Sequence, residues 1–187
     1  WGMPHSDDTG RALAEALRTN TTLALLELTG HCLGDATDLA LAEALTSNRT
    51  LRSLAVRALR GSSGLAASGC HALAQALTVN TTLTVLEATC GSAEDATALA
   101  QALRCNGSLR SLTVRGNVGD EGCKALAAAL EANRTLAALH IHCASLGKPS
   151  ARALQAALRT NASLMWSTLS LKGWPTASAE AALERNR

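Results

Sequence analysis

One short signature recurs along the chain and limits its fold more than any other feature. Asn-x-Ser/Thr-Leu begins at Asn20, Asn48, Asn80, Asn106, Asn133 and Asn161, at intervals of 28, 32, 26, 27 and 28 residues. Before each Asn lies an Ala-Leu run: ALAEAL from Ala12 and Ala40, ALAQAL from Ala72 and Ala98, ALAAAL from Ala125, ALQAAL from Ala153. After each lies a short apolar element, such as Leu51/Leu54/Val56 or Leu109/Leu112/Val114. Self-similarity at a period of 20–50 residues marks a chain built from stacked supersecondary units, none of which buries its apolar face alone.

Each half of the unit has a physical reading. In Ala12–Leu17 the apolar residues fall at i, i+1, i+4 and i+5, one face of a short helix. In Leu109–Val114, Leu112 and Val114 alternate with Ser111 and Thr113, the period of a half-buried strand. Asn stands where each helix must stop, and it tolerates the left-handed conformation that often ends helices. Gly10, Gly69 and Gly122, two residues before their Ala-Leu runs, suit a tight start to the helix. Counting a last Ala-rich run from Ala179, the pattern predicts seven helices and six strands in a single domain spanning 1–187.

Composition follows from the repeat and closes off several classes. The 187 residues include 38 Ala, 33 Leu and three Trp, with neither Phe nor Tyr, so the core is assembled from small aliphatic contacts. At 47% hydrophobic and 17% charged the chain is no disordered tail. No apolar run approaches a membrane span. Seventeen Lys+Arg against 15 Asp+Glu leaves +2, too balanced for a dedicated nucleic-acid binder. The six cysteines show no zinc-site spacing and read as reduced thiols that pack like small apolar residues. Cys70 and Cys123 share one repeat position, which favours a core role.

The unit G-x-x-A-L-A-x-A-L-x-x-N-x-T-L-x-x-L-x-V, seen best in LRSLTVRGNVGDEGCKALAAAL from Leu109 to Leu130, resembles the leucine-rich repeat of the ribonuclease-inhibitor type. The resemblance runs from Gly10 to Arg185 and implies an α/β horseshoe solenoid, with parallel strands on the concave face and short helices on the convex face. It places Asn117 at that family's asparagine position, where His31, Gly91 and Ala144 stand in other units, so a buried asparagine ladder is expected to be mostly absent. Leu59–Ala67 carries extra residues, read as an excursion loop. Near LMWSTLSLKG the register slips by two, which puts Trp166 at the first Leu position. A longer period is also present: Thr22–Asn80 matches Thr82–Asn133, the product of duplicating a two-repeat block.

With the first Leu as position one, positions three, five and seven of each strand face the hollow. Position five reads Glu27, Ala55, Glu87, Thr113, His140, Ser170, and position seven reads Thr29, Arg57, Thr89, Arg115, His142, Lys172. One reading is an internal ion ladder of Glu27, Arg57, Glu87 and Arg115. The other is a hollow left positive in its C-terminal half, fitted to an acidic protein partner. The candidate contact residues are Glu27, Arg52, Arg57, Glu87, Arg110, Arg115, His140, His142, Trp166 and Lys172. His140-x-His142-Cys143 invites a metal reading, but cations at Arg115 and Lys172 oppose it, so no metal or other cofactor is expected.

No phosphate-binding loop, G-x-S-x-G or H-E-x-x-H is present, and no nucleophile has a plausible base beside it, which points away from an enzyme. The paired acids Asp7-Asp8, Glu94-Asp95 and Asp120-Glu121 stand at helix starts, where they complement the helix dipole. All six Asn-x-Ser/Thr triplets are formal glycosylation acceptors, which would suit a secreted recognition domain, yet the repeat already accounts for them. The expected function is a non-enzymatic protein-interaction scaffold in the cytoplasm, binding neither nucleic acid nor membrane. The resemblance also admits a part of a ciliary or cytoskeletal assembly, a ligand-sensing arm of an intracellular immune receptor, a regulator of a small GTPase or an inhibitor. Since the chain begins at Trp1 and solenoids need polar caps, it reads as a fragment whose open end is covered by flanking repeats or a partner.

Overall fold

The computed structural model describes residues 6–30, 35–58, 67–143 and 147–170. Helices and strands alternate: α1 (Ser6–Thr19), β1 (Leu25–Gly30), α2 (Asp35–Ser47), β2 (Ser53–Ala58), α3 (Ala67–Val79), β3 (Val85–Cys90), α4 (Ala93–Cys105), β4 (Ser111–Gly116), α5 (Gly119–Ala132), β5 (Ala138–His142), α6 (Lys148–Thr160) and β6 (Trp166–Ser170). The six strands form one parallel sheet in the order of the sequence, β1 to β6, and each helix packs against the next. The fold is therefore α/β, built from six helix–strand units. The seventh Ala-Leu run, the excursion at residues 59–66, Trp1, Trp174 and Lys172 lie outside the described residues.

One core lies between sheet and helices. Strand positions four and six face it: Leu54, Val56, Leu86, Ala88, Leu112, Val114, Leu139 and Ile141 are all buried. Helix residues such as Leu45, Leu77, Leu103, Leu130 and Leu158 meet them. The many alanines answer the absence of aromatics, because a thin helix brings its backbone close to the sheet without leaving voids. The helix-start glycines work the same way. Gly10 and Gly69 keep negative φ, and a Cβ at Gly10 would overlap Thr37, at Gly69 would overlap Asp38, and at Gly122 would stand 2.6 Å from the Cβ of Ala96. These positions are small so that successive helices can touch, a correction to the turn role read from sequence.

A second correction concerns asparagine. The residue that ends each helix is not left-handed: Asn106, Asn133 and Asn161 have φ of −78, −74 and −76° with extended ψ, and no non-glycine described residue has positive φ. Its backbone N–H still bonds back into the helix, as Asn106 to the Ala102 carbonyl at 2.9 Å. The side chain does the rest. Asn133 Oδ1 accepts from the N–H groups of Thr135 and Leu136, at 2.9 and 2.8 Å, closing the turn into β5. Its Nδ2 donates to the carbonyls of Leu103 and Asn106 in the previous unit, at 2.8 and 3.1 Å. Asn48, Asn80, Asn106 and Asn161 repeat the arrangement, each buried to 5% exposure or less. A buried asparagine ladder thus exists, one position set away from where the resemblance put it, and Asn117 itself is exposed.

The third correction is one of register. Leu164 is buried and its N–H bonds to Asn161 Oδ1 as Leu136 does to Asn133, so Leu164 holds the first Leu position. Trp166 pairs in register with Ala138, at position three. Thr168 then aligns with His140 and Ser170 with His142, so Ser170 holds position seven of the sixth strand.

Candidate functional site

On the solvent face of the sheet, registered pairing sets Glu27 beside Ala55, Ala55 beside Glu87, Glu87 beside Thr113 and Thr113 beside His140. Ala55 is the small residue between two carboxylates, and that gap seats a guanidinium. Arg57 spans it, with Nη1 3.3 Å from Glu27 Oε2 and Nη2 2.7 Å from Glu87 Oε2. Arg115 Nε closes on the other oxygen of Glu87 at 2.5 Å. Glu87 ends with its side chain only 12% exposed, and the two arginines hold its carboxyl below the usual carboxylate range, the Arg57 hydrogen bond contributing most. The Arg57 guanidinium is correspondingly shifted up by Glu87.

This network neutralises itself. Two carboxylates and two guanidiniums cancel, so Arg115 is not available to make the C-terminal half of the face positive. His142 pairs in register with Arg115 and is pushed toward its neutral form, first by burial, then by Arg115 and His140. Arg52 and Arg110 lie off this face altogether: each immediately precedes its strand, exposed at the edge where helices end and strands begin. Of the ten candidate residues, the structure therefore joins Glu27, Arg57, Glu87 and Arg115 in one ion network and sets His140 and His142 beside it. Arg52 and Arg110 go to the edge, and Trp166 takes position three.

Nothing here resembles a reaction centre. Among the described residues no three His, Cys, Asp or Glu side chains gather to hold a metal ion. The Cys143 thiol is engaged with Cys123, away from the metal reading of His140 and His142. Cys70 and Cys123 are fully buried, and burial together with hydrogen bonds to Cys90 and Cys143 raises both thiols far above reactivity. Cys70 Sγ donates to the Asp95 carbonyl at 3.7 Å. A groove between α3, α4 and α5 is lined by His71, Glu94, Thr97 and Glu121, and the Thr97 hydroxyl donates back within its own helix to Ala93. No described helix is long and apolar enough to cross a membrane.

The glycosylation signature is likewise structural at five of its six copies. Each buried Nδ2 donates to two carbonyls of the previous unit, and a glycan on that nitrogen would replace one of the two donated hydrogens and clash with the core. Sequence reading missed this ladder. The signal was in plain view, since Asn with a following Ser or Thr is invariant across six units of one chain while the surface around it varies.

No protein-family model matches the sequence, and no curated protein matches it. Solved structures do. The chain superposes on leiomodin-1 actin-binding site 2 with a TM-score of 0.57 at 18% identity, covering 100% of this chain and 91% of that one. It superposes on the tropomodulin C-terminal domain of Caenorhabditis elegans with a TM-score of 0.57 at 15% identity, covering 95% and 92%. These likenesses establish a shared fold. They also overturn the resemblance to the ribonuclease-inhibitor type, whose asparagine position is occupied here by the exposed Asn117.

Proposed function

We propose that this chain is a non-enzymatic protein-interaction module of the cytoskeleton, with actin as its partner. The observation that carries the reading is the match along the whole chain to leiomodin-1 actin-binding site 2. We further infer that residues 1–187 form one domain, its units curving into a horseshoe solenoid with strands inside; sequential strand order supports this. In this reading the module works in the cytoplasm on actin structures. Contact falls on the sheet face at Arg57, Arg115, His140, His142 and Trp166, or on the edge at Arg52 and Arg110.

High-speed co-sedimentation with filamentous actin, together with gel filtration against monomeric actin, tests the proposal. The protein is expected to pellet with filaments or to shift the monomer's elution volume. If it does neither at protein concentrations up to about 50 μM, weaker than specific interfaces of standard size, the actin reading is wrong.

A further inference from the structure

At the edge where helices end and strands begin, each unit presents three solvent positions: two before its Asn, one after it and four after it. Six exposed arginines occupy them: Arg49, Arg52, Arg104, Arg110, Arg134 and Arg159, against the single carboxylate Glu131. None of the six forms an ion pair among the described residues, whereas Arg18, the equivalent in the first unit, is paired with Glu43 at 2.7 Å. The third unit presents only Thr78, Thr81 and Thr84, which separates Arg49 and Arg52 of the second unit from the four arginines of units four to six.

Arginine near a helix C-terminus ordinarily complements the helix dipole. In α1 to α5 one helix-end carbonyl is already met without arginine: the Leu17, Leu45, Leu77, Leu103 and Leu130 carbonyls each accept from the next unit's asparagine Nδ2. Arg52 and Arg110 are not in helices at all. Where the guanidiniums do touch the protein, they touch neutral carbonyls, Arg49 at Thr46 and Asn48, Arg110 at Thr135 and Arg134 at Asn133. Such contacts hold the side chains along the edge and leave both their charge and most of their donors outward. Met165, 44% exposed, stands at the same unit position as Arg52 and Arg110 and supplies an apolar anchor. Arg and Met are enriched in protein interfaces. The opposite edge is acidic, with Glu94, Asp120 and Glu121 exposed in the first turns of α4 and α5.

We propose that this arginine edge, centred on Arg104, Arg110, Arg134, Arg159 and Met165, is the docking surface for an acidic protein face. It moves the acidic-partner contact from the neutral sheet face to the edge, and it rests on the reading of the chain as an interaction module. Protein is favoured over nucleic acid because none of the edge positions named above carries an aromatic side chain to stack a base.

The test uses the whole chain, a quadruple variant R104E/R110E/R134E/R159E, and an opposite-edge control E94Q/E121Q. All substituted side chains are exposed, and far-UV circular dichroism verifies folding. Poly-L-glutamate and a single-stranded oligonucleotide of equal charge serve as probes between 50 and 300 mM salt, with filamentous actin as a separate arm. Wild type and control are expected to bind poly-L-glutamate in a salt-dependent way, and the quadruple variant about ten-fold or more weakly. Equal binding by the quadruple variant, an equal loss in the control, or tighter binding of the oligonucleotide overturns the inference. If poly-L-glutamate behaves as expected but actin is not bound, the arginine edge stands and the actin reading falls. If actin is bound equally by wild type and the quadruple variant, the edge falls and the actin reading stands.

Discussion

Replacing Asn133 by alanine measures directly what joins one unit to the next. Its carboxamide makes five hydrogen bonds of 2.8–3.3 Å, two across to the previous unit and three into its own turn, one of them from the Thr135 hydroxyl, which can turn to water instead. Alanine leaves the Leu136 N–H, on a residue with 0% exposure, and the Leu103 carbonyl, behind a residue with 2% exposure, without these partners. A buried group left unsatisfied costs about 1–3 kcal/mol, and a net hydrogen bond is worth about 1 kcal/mol. Two buried orphans plus two partly solvated losses give about 3–5 kcal/mol, a large share of the roughly 5–15 kcal/mol that holds an ordinary domain folded.

Asn20 is the internal control. It makes the same turn, accepting from Thr22 and Leu23 at 2.9 and 2.6 Å, but it is exposed. Asn20→Ala should therefore cost only about 1 kcal/mol. Urea unfolding followed by circular dichroism at 222 nm separates the two. A fall in the slope of the Asn133 variant would further indicate that units on either side have uncoupled. If Asn133→Ala costs less than about 1 kcal/mol, or no more than Asn20→Ala, the ladder is not what couples the units.

The ion network makes a pH prediction. Glu87 has a folded pKa below its unfolded value, so its stabilisation is fully present above the unfolded carboxylate range and is lost as pH falls through the folded value. Glu87→Gln should cost about 1–2 kcal/mol at pH 7, limited by the partial exposure of both arginines, and should lose less than wild type between pH 7 and pH 3 in the same urea assay. His142 has the same sense in a higher pH range: its depressed pKa favours the neutral ring, so its contribution is present above the unfolded histidine value and is lost as pH falls through the folded one. Arg115→Gln should raise the His142 pKa, read by NMR titration of the ring protons, and an unchanged value would refute the assigned cause. Gly122→Ala should destabilise by about 1–3 kcal/mol in thermal melts because α4 and α5 must separate, while Gly107→Ala, with nothing within 4 Å, should be near neutral.

The alternation of Ala-Leu run and short strand was readable because burial imposes a period on apolar residues, and six copies make the period unmistakable. Position-five and position-seven partners were readable for the same reason, since parallel in-register strands turn a repeat alignment into a contact map. What failed were statements that depend on a side chain's third-dimension partner. Asn133 looks like a helix stop in sequence, but its carboxamide reaches a unit 27 residues earlier. Gly122 looks like a turn residue, but what constrains it is the Cβ of Ala96 on another helix. Trp166 was misplaced because tryptophan was matched to a leucine position by size, when the Asn161 bond to Leu164 fixes the count. Arg52 and Arg110 were assigned to the sheet face although they stand at even-numbered positions, before the strands begin.

These facts meet in the division of labour among polar residues. Asparagine meets one helix-end carbonyl in each of α1 to α5, and the Glu–Arg network satisfies itself across the sheet. An arginine near a helix end normally has a structural duty that would explain its charge; Arg52 and Arg110 lie just before strands and have no such duty. The charge left over is therefore concentrated on one edge, with a methionine beside it, while the sheet face is spent on internal pairs. Neutralising Arg57 should therefore lower stability more than binding, and neutralising Arg110 should lower binding more than stability. Measuring urea midpoints and poly-L-glutamate affinity for Arg57→Gln and Arg110→Gln in parallel decides it. The same rank order in both assays would mean that the two arginine sets do not divide the work.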